Sequence, residues 1–184
     1  MANKPISCII LAGGKSSRMN GIDKGLLEYK GQRLVEHAII SVSSQVDDII
    51  ISANRNIEEY AGFGHRVISD DSRHFDGPLA GISSAVPYSR HDWIFIIPCD
   101  MPLLPASLVA TLAQHTKDSK LVAISNDNHL QLVFLMHRSL RDSIKLYLSK
   151  GGHTVMRWLD SVDHRTVILD DVDYFYNINT PDQI

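Results

Sequence analysis

The chain has 184 residues, of which 44% are hydrophobic and 21% charged, and its formal net charge is −3. Such a chain suits one globular domain with a sizeable core, and its slight acidic excess excludes a nucleic-acid surface or an anionic membrane as the main partner. It does not exclude a phosphate-bearing small molecule, which needs only a few local cations.

Residues 6–11 form a short apolar run that ends in glycines and reads as a buried strand. Leu34, Val35, Ala38, Ile39 and Val42 follow at helical spacing. Residues 48–52 (Asp-Ile-Ile-Ile-Ser) are strand-like, and a weak strand at 67–68 stops at Asp70-Asp71. A helix over 79–86 follows the turn Asp76-Gly77-Pro78, and residues 93–97 are a strand halted by Pro98. Pro105 then opens a helix expected to run through His115. Strands are expected at 121–125 and 132–136, helices at 140–148 and 154–159, and a closing strand at 166–169. Short apolar strands alternating with helices indicate an α/β domain with a mostly parallel sheet, buried on both faces. No repeat or linker divides the chain, and no apolar run approaches a membrane span. Residues 9–12 are too short for a signal-peptide core, so the expected location is the cytoplasm. Cys8 and Cys99 lie in apolar surroundings and are expected as buried, reduced thiols.

In open α/β sheets ligands bind beyond the carboxyl ends of the strands, which singles out Leu11 onward, Asp70 and Asp100. The first strand empties into Leu11-Ala12-Gly13-Gly14-Lys15-Ser16-Ser17-Arg18-Met19, with Asp23-Lys24-Gly25 close behind. Two adjacent glycines let backbone amides approach an anion, Arg18 offers a planar fork, and Lys24 offers a compact charge. A P-loop is ruled out because Ile9 stands where its first glycine must be, and the dinucleotide fingerprint fails at Lys15 and Arg18. The segment therefore reads as a triphosphate grip of another kind. Asp100 sits between Pro98 and Pro102 at the end of a very hydrophobic strand. Two uses are open to it there: a ligand for Mg²⁺, or a turn residue capping the following helix.

The run from Leu11 to Gly25 resembles the signature loop of the molybdenum cofactor guanylyltransferases, the MobA-type enzymes, and is more broadly similar to the nucleotide-sugar pyrophosphorylases. The similarity extends along nearly the whole chain to Asn177-Ile178-Asn179-Thr180-Pro181. It implies a Rossmann-like three-layer nucleotidyltransferase fold, with residues 1–184 as one domain, about 1–105 for the nucleotide and about 106–184 for the acceptor. It implies transfer of GMP from GTP to molybdenum-molybdopterin with release of pyrophosphate. Cytidylyl- or sugar-phosphate nucleotidyltransferases are the nearest alternatives, and a silent nucleotide-binding regulatory module is an alternative of another class. Pro98-Cys99-Asp100-Met101-Pro102 resembles the family's metal motif, which assigns Mg²⁺ to Asp100. The resemblance gives Asp100, Lys24 and Arg18 the catalytic roles. It lets Leu11, Ala12, Gly13, Gly14, Asp70, Gly77, Pro78 and Leu79 hold the nucleotide, and Asn177 and Asn179 line the pterin side. The family usually carries a nucleotide-contacting asparagine where this chain has Ser52, with Asn54 two residues later. Transient contact with molybdenum cofactor biosynthesis proteins or acceptor molybdoenzymes is implied. The chain is expected to act as a monomer, without nucleic acid or membrane.

Other patterns do not resolve into sites. Nine histidines are scattered without metal-ligand spacing. Residues 81–85 do not follow a strand and are no nucleophile elbow. His153 and Arg157 lie one helical turn apart, open either to an anionic substrate or to solvent.

Overall fold

In the computed structural model, residues 4–12, 23–70, 77–169 and 172–178 are described. Along the chain these give β1 (Ile6–Leu11), a small hairpin of β2 (Glu28–Tyr29) and β3 (Gln32–Arg33), α1 (Leu34–Ser43), β4 (Asp48–Ser52), α2 (Ile57–Ala61) and β5 (Arg66–Ile68). They continue with α3 (Pro78–Ala85), β6 (Trp93–Pro98), α4 (Leu108–Ala113), β7 (Leu121–Asn126), β8 (His129–His137), α5 (Arg141–Ser149), α6 (Val155–Ser161) and β9 (Arg165–Ile168). Seven strands form one sheet in the order β5-β4-β1-β6-β8-β7-β9. Pairs β5–β4, β4–β1, β1–β6 and β7–β9 are parallel, while β8 runs antiparallel to β6 and β7. The sheet is mostly parallel, with one reversed strand.

Strand alternation divides the core into two layers. Cys8, Ile10, Ala12, Ile51, Phe95 and Ile97 face one side, where Val35, Ala38, Tyr60, Leu108 and Leu112 of α1, α2 and α4 cover them. Ile9, Leu11, Ile50, Ile94 and Ile96 face the other side, against Leu79, Ile82, Ile144 and Trp158 of α3, α5 and α6. Both faces being buried, the central strands read in sequence as unbroken apolar runs. Among the described residues no helix is long and apolar enough to cross a membrane.

Several elements differ from the sequence reading, among them the β2–β3 hairpin, for which no strand was expected. The helix expected from Pro105 begins at Leu108 and ends at Ala113. Its missing first turn has a specific cause: Gln45 Oε1 accepts the Val109 amide at 2.9 Å, the donor that would otherwise return to the Pro105 carbonyl. Strands β7 and β8 are a hairpin rather than separate units, turned at Asp127 and Asn128, both with positive φ (47° and 60°). Two such residues suit the tight turn whose twist matches the strands, and they extend β8 back to His129. Helix α2 was not expected, because its five residues turn a single buried side chain, Tyr60, toward the core.

Candidate functional site

Because β5, β4, β1 and β6 are parallel neighbours, their carboxyl ends share one edge. The ladder continues just past each strand: Ala12 N donates to Ser52 O, Ala53 N to Ile68 O, and Cys99 N to Leu11 O, at 2.9–3.1 Å. Asp70, Asn54, Ala12 and Asp100 therefore lie along a single rim. Helix α3 starts at the same rim, with Gly77 at φ +84° before Pro78. Leu79 is fully buried in the core, so what it can present to a ligand is backbone. The side chains of Leu11 and Ala12 are buried as well. Gly13, Gly14, Arg18 and Asn179 lie outside the described residues.

Lys24 and Asp100, far apart in sequence, meet at this rim. Lys24 Nζ donates to Asp100 Oδ2 at 2.5 Å, with side-chain exposures of 20% and 19%. The other oxygen, Asp100 Oδ1, is buried and has no hydrogen-bond partner among the described residues. Capping a following helix is not what Asp100 does: α4 begins eight residues on, after Ser107. The Ile178 amide donates to the Asp100 carbonyl at 3.0 Å, which brings Asn177 to within one residue of that contact.

Lys24 is set by its own turn. Asp23 Oδ1 accepts the Gly25 amide at 3.2 Å and caps the one-turn helix Lys24–Leu26. The same oxygen accepts the Tyr60 hydroxyl at 2.6 Å, and Oδ2 accepts Asn56 Nδ2 at 2.9 Å. Burial pushes the Tyr60 phenol well above its ordinary range, with Cys99 and Asp23 acting in the same direction, so it stays a donor. Burial likewise raises the Cys99 thiol, as does Asp100, which keeps it neutral and unreactive beside the site. Both cysteines are buried and free, as expected.

Gly25 is required where it stands. A Cβ there would overlap the Tyr60 hydroxyl and press within 3.3 Å of Cys99 Sγ. Gly25→Ala should therefore cost about 1–3 kcal/mol of stability and displace Lys24. Urea unfolding and the KM for nucleoside triphosphate should both report it.

At the far end of the rim Asp70 is clasped by Asn54. Asn54 Nδ2 donates to Asp70 Oδ2 at 2.6 Å, and the Asp70 amide donates to Asn54 Oδ1 at 2.9 Å. Ser52 is instead buried at 5% exposure, and a Cβ on Gly81 of α3 would overlap its hydroxyl. The side chain that meets Asp70 is thus Asn54, not Ser52. His153 also reaches this rim: its carbonyl lies 3.5 Å from where a Gly77 Cβ would be. The sequence offered Gly151-Gly152 ahead of His153 as a hint of that turn. For the anchoring roles of Asp23 and Tyr60, spacing offered none.

The rim joins a lysine, a carboxylate with one oxygen unpartnered among the described residues, and a glycine-led helix start, an arrangement able to hold a charged phosphate chain and a cation. The chain matches the MobA-like NTP transferase domain family over residues 8–166. It is 40% identical over 186 residues to a molybdenum cofactor guanylyltransferase of Polynucleobacter asymbioticus, covering 97% of this chain and 94% of that protein. A structure of molybdopterin-guanine dinucleotide biosynthesis protein A from Archaeoglobus fulgidus superposes with a TM-score of 0.76 at 19% identity, covering 96% of this chain and 93% of that one. The 4-diphosphocytidyl-2C-methyl-D-erythritol synthase of Anaerococcus prevotii superposes with a TM-score of 0.77 at 14% identity, covering 98% and 93%, and shares the Rossmann-like fold. With a family match across most of its length and the Lys24–Asp100 pair at the sheet rim, the chain belongs to the MobA-like NTP transferases and is a nucleotidyltransferase enzyme.

Proposed function

We propose that this enzyme transfers GMP from GTP to molybdenum-molybdopterin, forming the guanine dinucleotide cofactor and releasing pyrophosphate. The observation that carries the reading is the Lys24–Asp100 pair, with the buried Asp100 Oδ1 beside it lacking a hydrogen-bond partner among the described residues. The relatives named as guanylyltransferases support GTP as the donor and the pterin as the acceptor.

The donor set at Asp100 fits Mg²⁺. Magnesium takes one or two carboxylates and completes its shell with phosphate oxygens and water. Among the described residues no group of three or more His, Cys, Asp or Glu could hold a metal by protein ligands alone. Asp100 would hold the ion, which when bound offsets charge on the α-phosphate and the leaving pyrophosphate. Lys24 brings an ammonium to the same phosphates, anchored on Asp100 and by its capped turn. Gly13, Gly14 and Arg18 supply amides and a guanidinium to the triphosphate in this reading. The Gly77-Pro78-Leu79 backbone borders the nucleoside, with Asp70 held by Asn54 at the other end. The same reading assigns Asn177 and Asn179 to the pterin and its phosphate. The attacking phosphate is already anionic, so the chain needs no general base. Its residues position the two phosphates in line and compensate their charge. The same reading has the enzyme act in the cytoplasm as a monomer, with transient contacts to cofactor-biosynthesis proteins or acceptor molybdoenzymes.

The test is incubation with molybdopterin, Mg²⁺ and each of GTP, CTP, ATP and UTP, reading pyrophosphate. GTP should exceed each of the others by at least about tenfold, since a site that hydrogen-bonds one base leaves polar groups unpaired with another. A preference for CTP, or no release with any triphosphate, would sink the reading.

A further inference from the structure

We propose that Tyr60 is a positioning residue for nucleotide binding: its hydroxyl, fixed on Asp23, locks the turn that presents Lys24 to Asp100. The proposal rests on the reading of Lys24 as part of the triphosphate grip.

Tyr60 is completely buried within the core layer that covers β1 and β4. Phenylalanine would fill the same space, so the ring alone explains no hydroxyl. A buried hydroxyl needs a partner, and its partners among the described residues are Asp23 Oδ1 at 2.6 Å and the Ala12 carbonyl at 3.5 Å. The single phenolic proton belongs to the shorter, charge-assisted bond with Asp23. Those two residues, Ala12 and Asp23, lie on either side of the glycine-containing segment in sequence. The hydroxyl thus lies within hydrogen-bonding distance of the residues that flank that segment in sequence.

Asp23 passes the constraint on. The oxygen that accepts from Tyr60 also caps the Lys24 turn through the Gly25 amide. Its other oxygen is held by Asn56, which stands in the left-handed region at φ 50° just before α2. Helix α2 is too short to be stable alone. It is moored to the core by Tyr60 and to the Lys24 turn by the two hydrogen bonds. The absence of a Cβ at Gly25 lets the hydroxyl come this close to the turn.

Tyr60→Phe keeps the ring and removes only the hydroxyl. The KM for GTP, and its directly measured Kd with Mg²⁺, should rise about tenfold, the scale of one hydrogen bond to a charged group. The kcat should change less than about threefold, because the chemistry of the reacting phosphates is untouched. Phe63→Leu serves as the packing control. Phe63 lies 6.5 Å from the Tyr60 ring, so the variant should lower Tm yet leave KM unchanged. Asp23→Ala should reproduce the KM rise, and Tyr60→Phe/Asp23→Ala should be no worse than Asp23→Ala, since both remove one link. Wild-type KM in Tyr60→Phe, or additive losses in the double variant, would overturn the proposal. Should Tyr60→Phe not fold, wild-type KM in Asp23→Ala overturns it equally. A raised KM in Lys24→Ala with an unchanged KM in Tyr60→Phe overturns this proposal alone. An unchanged KM in Lys24→Ala overturns the reading beneath it and the proposal together.

Discussion

Asp100→Asn is expected to leave a folded protein whose turnover falls by about three orders of magnitude, the scale seen when a preorganised charge or donor is removed from a developing phosphate or oxyanion. The asparagine matches the carboxylate in shape, so the rim and the Ile178 amide contact to the residue 100 carbonyl should persist. What disappears is the negative charge opposite Lys24 and the anionic character of Oδ1, the buried oxygen without a hydrogen-bond partner among the described residues. Pyrophosphate release at saturating GTP and Mg²⁺ measures the loss, and a thermal melt shows that folding survives. Near-normal transfer by the variant would remove Asp100 from the mechanism and Mg²⁺ from Asp100.

Lys24→Ala should act on binding first, raising the KM for GTP by about tenfold to a hundredfold, because a charge-assisted contact to phosphate is lost. It should also lower stability by on the order of 2–3 kcal/mol. Removing one member of a largely buried ion pair leaves the other's charge in place without its compensation. Here the carboxylate that remains already has one oxygen with no described partner. The combination Lys24→Ala/Asp100→Asn should therefore regain stability over Lys24→Ala while regaining no activity. Urea unfolding and kinetics on the three variants separate the two effects. If the combined variant were less stable than Lys24→Ala, the two side chains would not be coupled as the 2.5 Å contact requires.

Most of the fold was legible in the chain. Strands β1 and β4 fall at the expected residues, and β6 extends only to Pro98, because strands buried on both faces leave continuous apolar runs. Helices α1, α3 and α5 fall within a residue or so of their apolar spacing. One misplacement comes from a partner remote in sequence, another from a turn whose residues have two local readings. Gln45 takes the amide that would have begun a helix at Pro105, and no local pattern records that bond. The β7–β8 reversal turns on Asp127 and Asn128 at positive φ, and either residue is also at home in an open loop.

At the candidate site, the chemical inventory is written in the amino-acid sequence: a glycine-rich exit from the first strand, a lysine behind it, and carboxylates at strand ends that a parallel sheet must bring to one rim. The pairing of these groups comes from the assembled fold. Lys24 meets Asp100 because β1 and β6 lie side by side, a neighbourhood set by sheet order. Asn54 rather than Ser52 reaches Asp70 because Ser52 is buried against Gly81 of α3, while Asn54 lies past the end of β4. Tyr60 anchors the Lys24 turn because a buried hydroxyl must find an acceptor, and the packing of α2 leaves it Asp23. Residue types and periodicity are local properties of a chain. Which donor faces which acceptor is fixed only when the sheet is assembled and its layers close.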